Sequence, residues 1–221
     1  MSSQPSPAPE APALSLTERR KAATQLDIAR AAAELFTEYG PDGTTAEDIA
    51  RRAGVALRTF YRYFRNKQDA VGPLLAAGGD HRRALLAAEE PGTALPRALE
   101  RAIRESLSAP DAHAAERLEQ TRALLRAAVG DPALRAVWYR VNQESEERLI
   151  PVAARLAGAG ADPLETRLAA AAATAAIRIA LETWAATDAT ADGPDSPAAL
   201  AVRCLRQLMG VPRPSPSSDE H

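Results

Sequence analysis

The stretch TTAEDIARRAGVALRTFYRYFRNK, from Thr44 to Lys67, decides how this chain folds. It splits about a glycine into two short helical segments. Thr45 to Ala53 reads as a helix with Thr44 or Thr45 as its cap. Thr44-x-x-Glu47 has the form of a capping box, in which hydroxyl and carboxylate satisfy the free backbone donors of the first turn. Gly54 ends that helix. A second helix spans Leu57 to Phe64. At about 100° per residue, Leu57, Phe60 and Phe64 fall on one side and Arg58, Thr59, Arg62 and Arg65 on the other, with Tyr61 and Tyr63 on the flanks. Such a helix can pack by its apolar edge and offer guanidinium forks to guanine O6/N7 or to phosphate from its outer edge. Between Asp48 and Asp69 the chain carries Arg51, Arg52, Arg58, Arg62, Arg65 and Lys67 and no acid, although its formal net charge is only -2. So local a basic block predicts a polyanionic partner.

Working outward, Ser15-x-x-Glu18 offers a second capping box for a helix that Gly40 stops, with Ile28, Ala32, Leu35 and Phe36 as its inner stripe over Ile49, Val55, Phe60 and Phe64. Asn66-x-x-Asp69 can cap a fourth helix. Gly72-Pro73 interrupts it early and Gly78-Gly79 again, and a proline colliding with the Asp69 carbonyl implies a kink. Two helices are expected between Thr93 and Val129, broken near Ala109-Pro110. Asp131-Pro132, Asp162-Pro163 and Ser196-Pro197 each pair a capping side chain with a proline at the first helical position, opening helices to about Leu156, Thr187 and Met209. No segment alternates with period two for long enough to suggest a strand. The expected architecture is all-α, about nine helices, with an N-terminal three-helix helix-turn-helix domain at 14–66 and a larger C-terminal helical bundle at 67–210. Residues 1–13 and 211–221, rich in Ser, Pro and Ala without hydrophobic periodicity, read as mobile tails.

The N-terminal motif set resembles a known family. Ile28-x-x-Ala31-Ala32-x-x-Leu35-Phe36, Tyr39-Gly40, Thr44-Thr45, Ile49-Ala50, Ala53-Gly54-Val55 and Thr59-Phe60-Tyr61-x-Tyr63-Phe64-x-Asn66-Lys67 look like the DNA-binding domain of the tetracycline-repressor (TetR) family over residues 17 to 70. The resemblance implies that Thr45, Tyr61, Tyr63 and Lys67 grip phosphates while the helix from Leu57 enters the major groove. Many members carry Ser and Gly where this chain has Ala56 and Arg58, so the hydroxyl cap of the second helix is missing and Arg58 becomes an additional candidate base reader beside Thr59 and Arg62.

Composition narrows the alternatives. The chain of 221 residues is 46% hydrophobic, enough for one mid-sized or two small cores. Its cations are nearly all arginine, Lys21 and Lys67 being the lysines; GC-rich bacterial coding produces that bias, so the arginines inform by position and not by number. The single Cys204 excludes an intrachain disulfide, and the N-terminus has no apolar signal segment, which suits a reducing bacterial cytoplasm. The most apolar run, Leu168 to Leu181, is short for a membrane span and contains Arg178. Catalysis is not expected: His81 and His113 are isolated, no metal-ligand spacing exists, and Gly158-Ala-Gly160 follows a helix and not a strand. No cofactor is expected either.

For the larger domain, the Ala-rich helix from Pro163 and the helix bearing Leu200, Val202, Leu205, Leu208 and Met209 could form a four-helix homodimer interface, where the resembled family places its own. Trp138, Tyr139, Asn142 and Arg178 are the polar or aromatic handles for a ligand pocket among otherwise Ala/Leu walls, suited to a small apolar or amphipathic effector. The expected function is a sequence-specific, ligand-responsive transcriptional repressor bound as a dimer to palindromic double-stranded operator DNA. The alternative is an effector-independent DNA-binding or architectural protein.

Overall fold

Side-chain caps set where most of the helices begin. In the computed structural model, which describes residues 15–90 and 92–210, the order is α1 (Leu16–Tyr39), α2 (Ala46–Arg52), α3 (Leu57–Tyr63), a 3₁₀ turn (Asp69–Val71), α4 (Gly72–Ala87), α5 (Leu95–Ser106), α6 (Ala112–Gly130), α7 (Pro132–Ala157), α8 (Pro163–Ala185) and α9 (Pro197–Leu208). The expected tails 1–13 and 211–221 lie outside the described residues. Ser15 and Glu18 close the capping box of α1. Asp131 accepts from the backbone N–H of Ala133 and Leu134 at 2.8 and 3.0 Å, and Asp162 and Ser196 do the same for α8 and α9. Each such cap stabilises its helix by about 1 kcal/mol. Gly158 takes φ 89° at the end of α7, a left-handed conformation that suits a residue without Cβ.

Three expectations are corrected. The capping box of α2 is formed by Thr45 and Asp48, one residue later than Thr44 and Glu47. Thr44 is buried, and its hydroxyl donates to the carbonyls of Leu35 and Gly40 at 3.2 and 2.9 Å, tying the loop to the end of α1 instead of capping α2. Nor does Pro73 kink a running helix. The 3₁₀ turn ends at Val71, and Pro73 occupies the first turn of α4, where its missing N–H costs nothing. Gly78 and Gly79 lie inside α4 without breaking it. A Cβ at Gly79 would stand 2.6 Å from Ser145 Oγ, so the glycine is what lets α4 and α7 approach there.

One continuous apolar core joins the two halves. Ile28, Ala32, Leu35 and Phe36 of α1 cover Ile49, Phe60 and Phe64, while α1 also packs on the 3₁₀ turn, α4 and α6. In the C-terminal half α8 is central, against α5, α6, α7 and α9. Its end is fixed by Trp184, which is fully buried and donates from Nε1 to the carbonyls of Ala189 and Thr190. The Arg122 guanidinium lies 3.5 Å from the centre of that ring, a cation–π contact, and Arg126 donates to the carbonyls of Ala185 and Thr187. By length and composition α8 could cross a membrane, but more than half of its most apolar window is buried inside the fold, as in the core helix of a globular protein.

Candidate DNA-binding face and ligand cavity

The polar edge of α3 is free. Phe60 and Phe64 are buried, with their rings 5.7 Å apart, whereas Arg58, Tyr61 and Arg62 are exposed and Thr59 and Tyr63 half-buried. Ala56 provides no side-chain cap, as the sequence implies. Arg62 folds back on its neighbour, with Nη2 donating to the Tyr63 hydroxyl at 3.2 Å and the guanidinium 4.8 Å from the ring centre.

The basic block is less free than the sequence window suggests. Arg51 pairs with Asp48, and Arg52 bridges Glu34 and Glu38 of α1, each at 3.1 Å. These acids lie on other turns or helices and are invisible to a count between Asp48 and Asp69. Arg58, Arg62 and Arg65 are exposed and form no ion pair with a described residue. Thr45 and Lys67 are both engaged. The Thr45 hydroxyl donates to Asp48 Oδ2 at 2.6 Å, and together with its N–H it holds that carboxyl below the usual range. Lys67 Nζ donates to the carbonyls of Pro41 and Thr44 at 2.7 and 3.0 Å, which fixes the loop before α2.

A second cationic surface was missed by the sequence reading. Thr17, Arg20, Lys21, Thr24 and Gln25, on the first turns of α1, share a shallow groove with Arg62 and Tyr63. The run Arg19-Arg20-Lys21 was the available signal, but only the fold brings it beside α3.

The C-terminal half encloses a cavity of about 310 Å³ between α4, α6, α7 and α8, the scale of a small-molecule site. Trp138 and Asn142 line it. Trp138 commits its indole N–H to Glu182 at 2.8 Å, so it offers the cavity only its ring, and Asn142 donates to the Trp138 carbonyl at 2.8 Å. Tyr139 and Arg178, expected beside them, lie outside. Position 139 is turned about 100° from 138, which carries it to the surface, where Arg178 stands 5.7 Å from its ring centre and pairs with Glu182 at 3.0 Å. The polar lining not foreseen includes His81, Arg82, Arg117, Gln120, Thr121 and Ser145.

On the outer side of α8, Leu164, Leu168 and Ile179 are exposed and Ala172 and Ala175 half-buried, one stripe at helical spacing, with Leu208 of α9 also exposed. Leu200, Val202 and Leu205, expected at the same surface, are buried within their own chain. They pack where α9 meets α8 and α5.

Comparison with known proteins agrees with this arrangement. Residues 28–71 match the family of bacterial regulatory proteins, tetR family. An HTH-type transcriptional repressor of Mycobacterium tuberculosis is 38% identical over 90 residues, covering 38% of this chain and 48% of that protein. The transcriptional regulator TcmR of Streptomyces glaucescens is 29% identical over 149 residues, 66% of each. The chain thus spans about half the length of the first of these curated relatives. A TetR-family regulator from Mesorhizobium loti superposes with a TM-score of 0.53 at 21% identity, covering 87% of this chain and 98% of that one, which shows the shared fold. Residues 28–71 thus carry the sequence pattern of the TetR-family DNA-binding domain, and the fold around them is one that TetR-family structures share.

Proposed function

We propose that the protein is a transcriptional regulator that binds operator DNA as a homodimer and releases it when a small ligand fills the C-terminal cavity. The observation that carries this reading is α3, a short helix with its aromatic edge buried and Arg58, Thr59 and Arg62 on its free edge. Held in the major groove, Arg58 and Arg62 read base edges, while Tyr61, Tyr63, Thr45 and Lys67 contact or position the phosphate backbone. For Thr45 and Lys67 that contact uses what their internal hydrogen bonds leave over. Residues 14–66 act as the reader and 67–210 as the ligand-binding and dimerisation domain, in the cytoplasm.

A second copy suits the α8 stripe of Leu164, Leu168, Ala172, Ala175 and Ile179. Its small central residues allow helices to approach closely, and its leucines supply apolar area. The named relatives are regulators and one is a repressor, which supports repression as the sense of control. Coupling runs through α7, whose residues both line the cavity and hold the junction with the reader. Selection of duplexes from a randomised pool tests the proposal. A two-fold-related pair of enriched half-sites is expected, and an enrichment no better than that of unrelated duplexes would refute sequence-specific binding.

A further inference from the structure

The cavity's charge is one-sided. His81, Arg82 and Arg117 line it and, among the described residues, no carboxylate does. Arg117 and His81 are exposed, whereas Arg82 is half-buried on the inner wall. Removal from water lowers the Arg82 pKa to about 10, which Asp80 partly opposes, so the group stays cationic at neutral pH. That one acid is already shared by Arg83 at 3.4 Å and Arg148 at 3.6 Å. Arg82 forms no hydrogen bond or ion pair with a described residue, leaving its donors available.

Its position follows from the helix. A side chain on α4 leans back over the preceding turn, and the positions beneath Arg82 are Gly78 and Gly79. A Cβ there would stand 3.5 Å from Arg82 Nη1 and 3.7 Å from Nη2, respectively. The same Cβ on Gly79 would stand 2.6 Å from Ser145 Oγ. The absent side chain at Gly79 thus lets two donors, the Ser145 hydroxyl and the Arg82 guanidinium, come close to the same stretch of α4, in the wall of a chamber otherwise lined by Leu118, Leu124, Trp138, Ile177 and Leu181.

We propose that this cavity takes an amphipathic organic anion, its carboxylate or similar head held by Arg82 and Ser145 and its apolar body against Trp138 and the leucines. The proposal rests on the reading that the cavity is the ligand site. Arg82 supplies a charge-assisted, fork-shaped pair of bonds, and Ser145 a third donor. Desolvating Arg82 without an anion is unfavourable, so a neutral ligand of the same shape binds less well.

Calorimetric titration of the full chain with a naphthalene carboxylate and with its neutral carboxamide tests this in the absence of DNA. Wild-type protein should prefer the carboxylate by about tenfold or more. Arg82→Gln should reduce that preference to about twofold or less with the carboxamide affinity unchanged, while Arg82→Lys, which keeps charge but not the fork, should retain part of it. Gly79→Ala, whose Cβ would displace the Ser145 hydroxyl while keeping the Arg82 side chain, should weaken the carboxylate more than the carboxamide. Equal wild-type affinities, no wild-type binding of the carboxylate, or an undiminished preference in folded Arg82→Gln would each overturn the assignment. A carboxylate that binds with an Arg82-dependent preference yet leaves DNA affinity unchanged would support the anion site and refute the switch.

Discussion

Arg140 Nη2 donates to Asp69 Oδ1 at 2.8 Å, joining the middle of α7 to the 3₁₀ turn that follows the reader. Beside it Gln68 Nε2 donates to Asp131 Oδ2, the carboxylate that caps α7, also at 2.8 Å. Burial raises the Asp131 pKa, but the bonds from Gln68 and the helix N–H groups outweigh it and hold it low. Trp138, Asn142 and Ser145 project from the same helix into the cavity. A ligand that shifted α7 would thus act directly on both polar links to residues 68–69.

Arg140→Ala should therefore cost only about 0–1 kcal/mol of stability, as a partly exposed pair does, while shrinking the change in DNA affinity that a cavity ligand produces. Parallel DNA titrations with and without saturating ligand measure the coupling, which linkage makes reciprocal. An undiminished ligand effect in Arg140→Ala and Gln68→Ala would move the coupling route elsewhere.

Leu168→Glu or Ala172→Glu should give a folded monomer with poor operator binding, since both lie on the outer stripe of α8. Leu205→Glu should unfold the chain. That side chain is 2% exposed within its own bundle, and burying an unpaired carboxylate costs several kcal/mol at least (~3 or more). Sedimentation and thermal melts separate the outcomes, and a dimeric Leu168→Glu would place the interface on another face.

Acid should loosen α9 from α5. Arg206 donates to both oxygens of Glu100, at 3.0 and 2.5 Å, and this bond, with a further one from Arg104, holds the Glu100 carboxyl below its ordinary 4.5 against the opposing effect of burial. A depressed folded pKa means the contribution is complete above the unfolded value and is lost as pH falls through the folded one. Urea melts at pH 7, 5 and 4 and below should show wild type converging on Glu100→Gln in the most acidic samples. A gap that stays constant with pH would show that the charge contributes nothing.

Arg20→Ala and Lys21→Ala should each weaken specific and non-specific DNA alike and lower the salt dependence by about one counterion. The expectation comes from their groove beside Arg62. Salt titrations with slopes equal to wild type would remove α1 from the contact surface.

The legible parts of the chain were those governed by neighbours in sequence. Ser15 with Glu18, Asp131 with Pro132, Asp162 with Pro163 and Ser196 with Pro197 announce their helices, and the spacing of Leu57, Phe60 and Phe64 orients α3. What was misread depended on distant partners. Thr44 left the capping role because α1 offers its hydroxyl two carbonyls, and Arg52 left the free cations because Glu34 and Glu38 lie opposite it. Leu205 and Leu208 are both apolar on one helix, and only the packing of α8 and α5 decides which is covered. Arg82 carried no sequence signal at all; its meaning comes from the glycines beneath it and Ser145 across from it.

The most direct test of the account is the ratio of affinities for a selected operator duplex and a scrambled one, measured at one fixed salt concentration for wild type and Arg62→Ala. A bidentate guanidinium–base contact is worth about 1–3 kcal/mol, so the variant's ratio should fall by about five- to 150-fold for each half-site while its scrambled-duplex affinity drops much less. An unchanged ratio would contradict the assignment of α3 as the element that reads sequence.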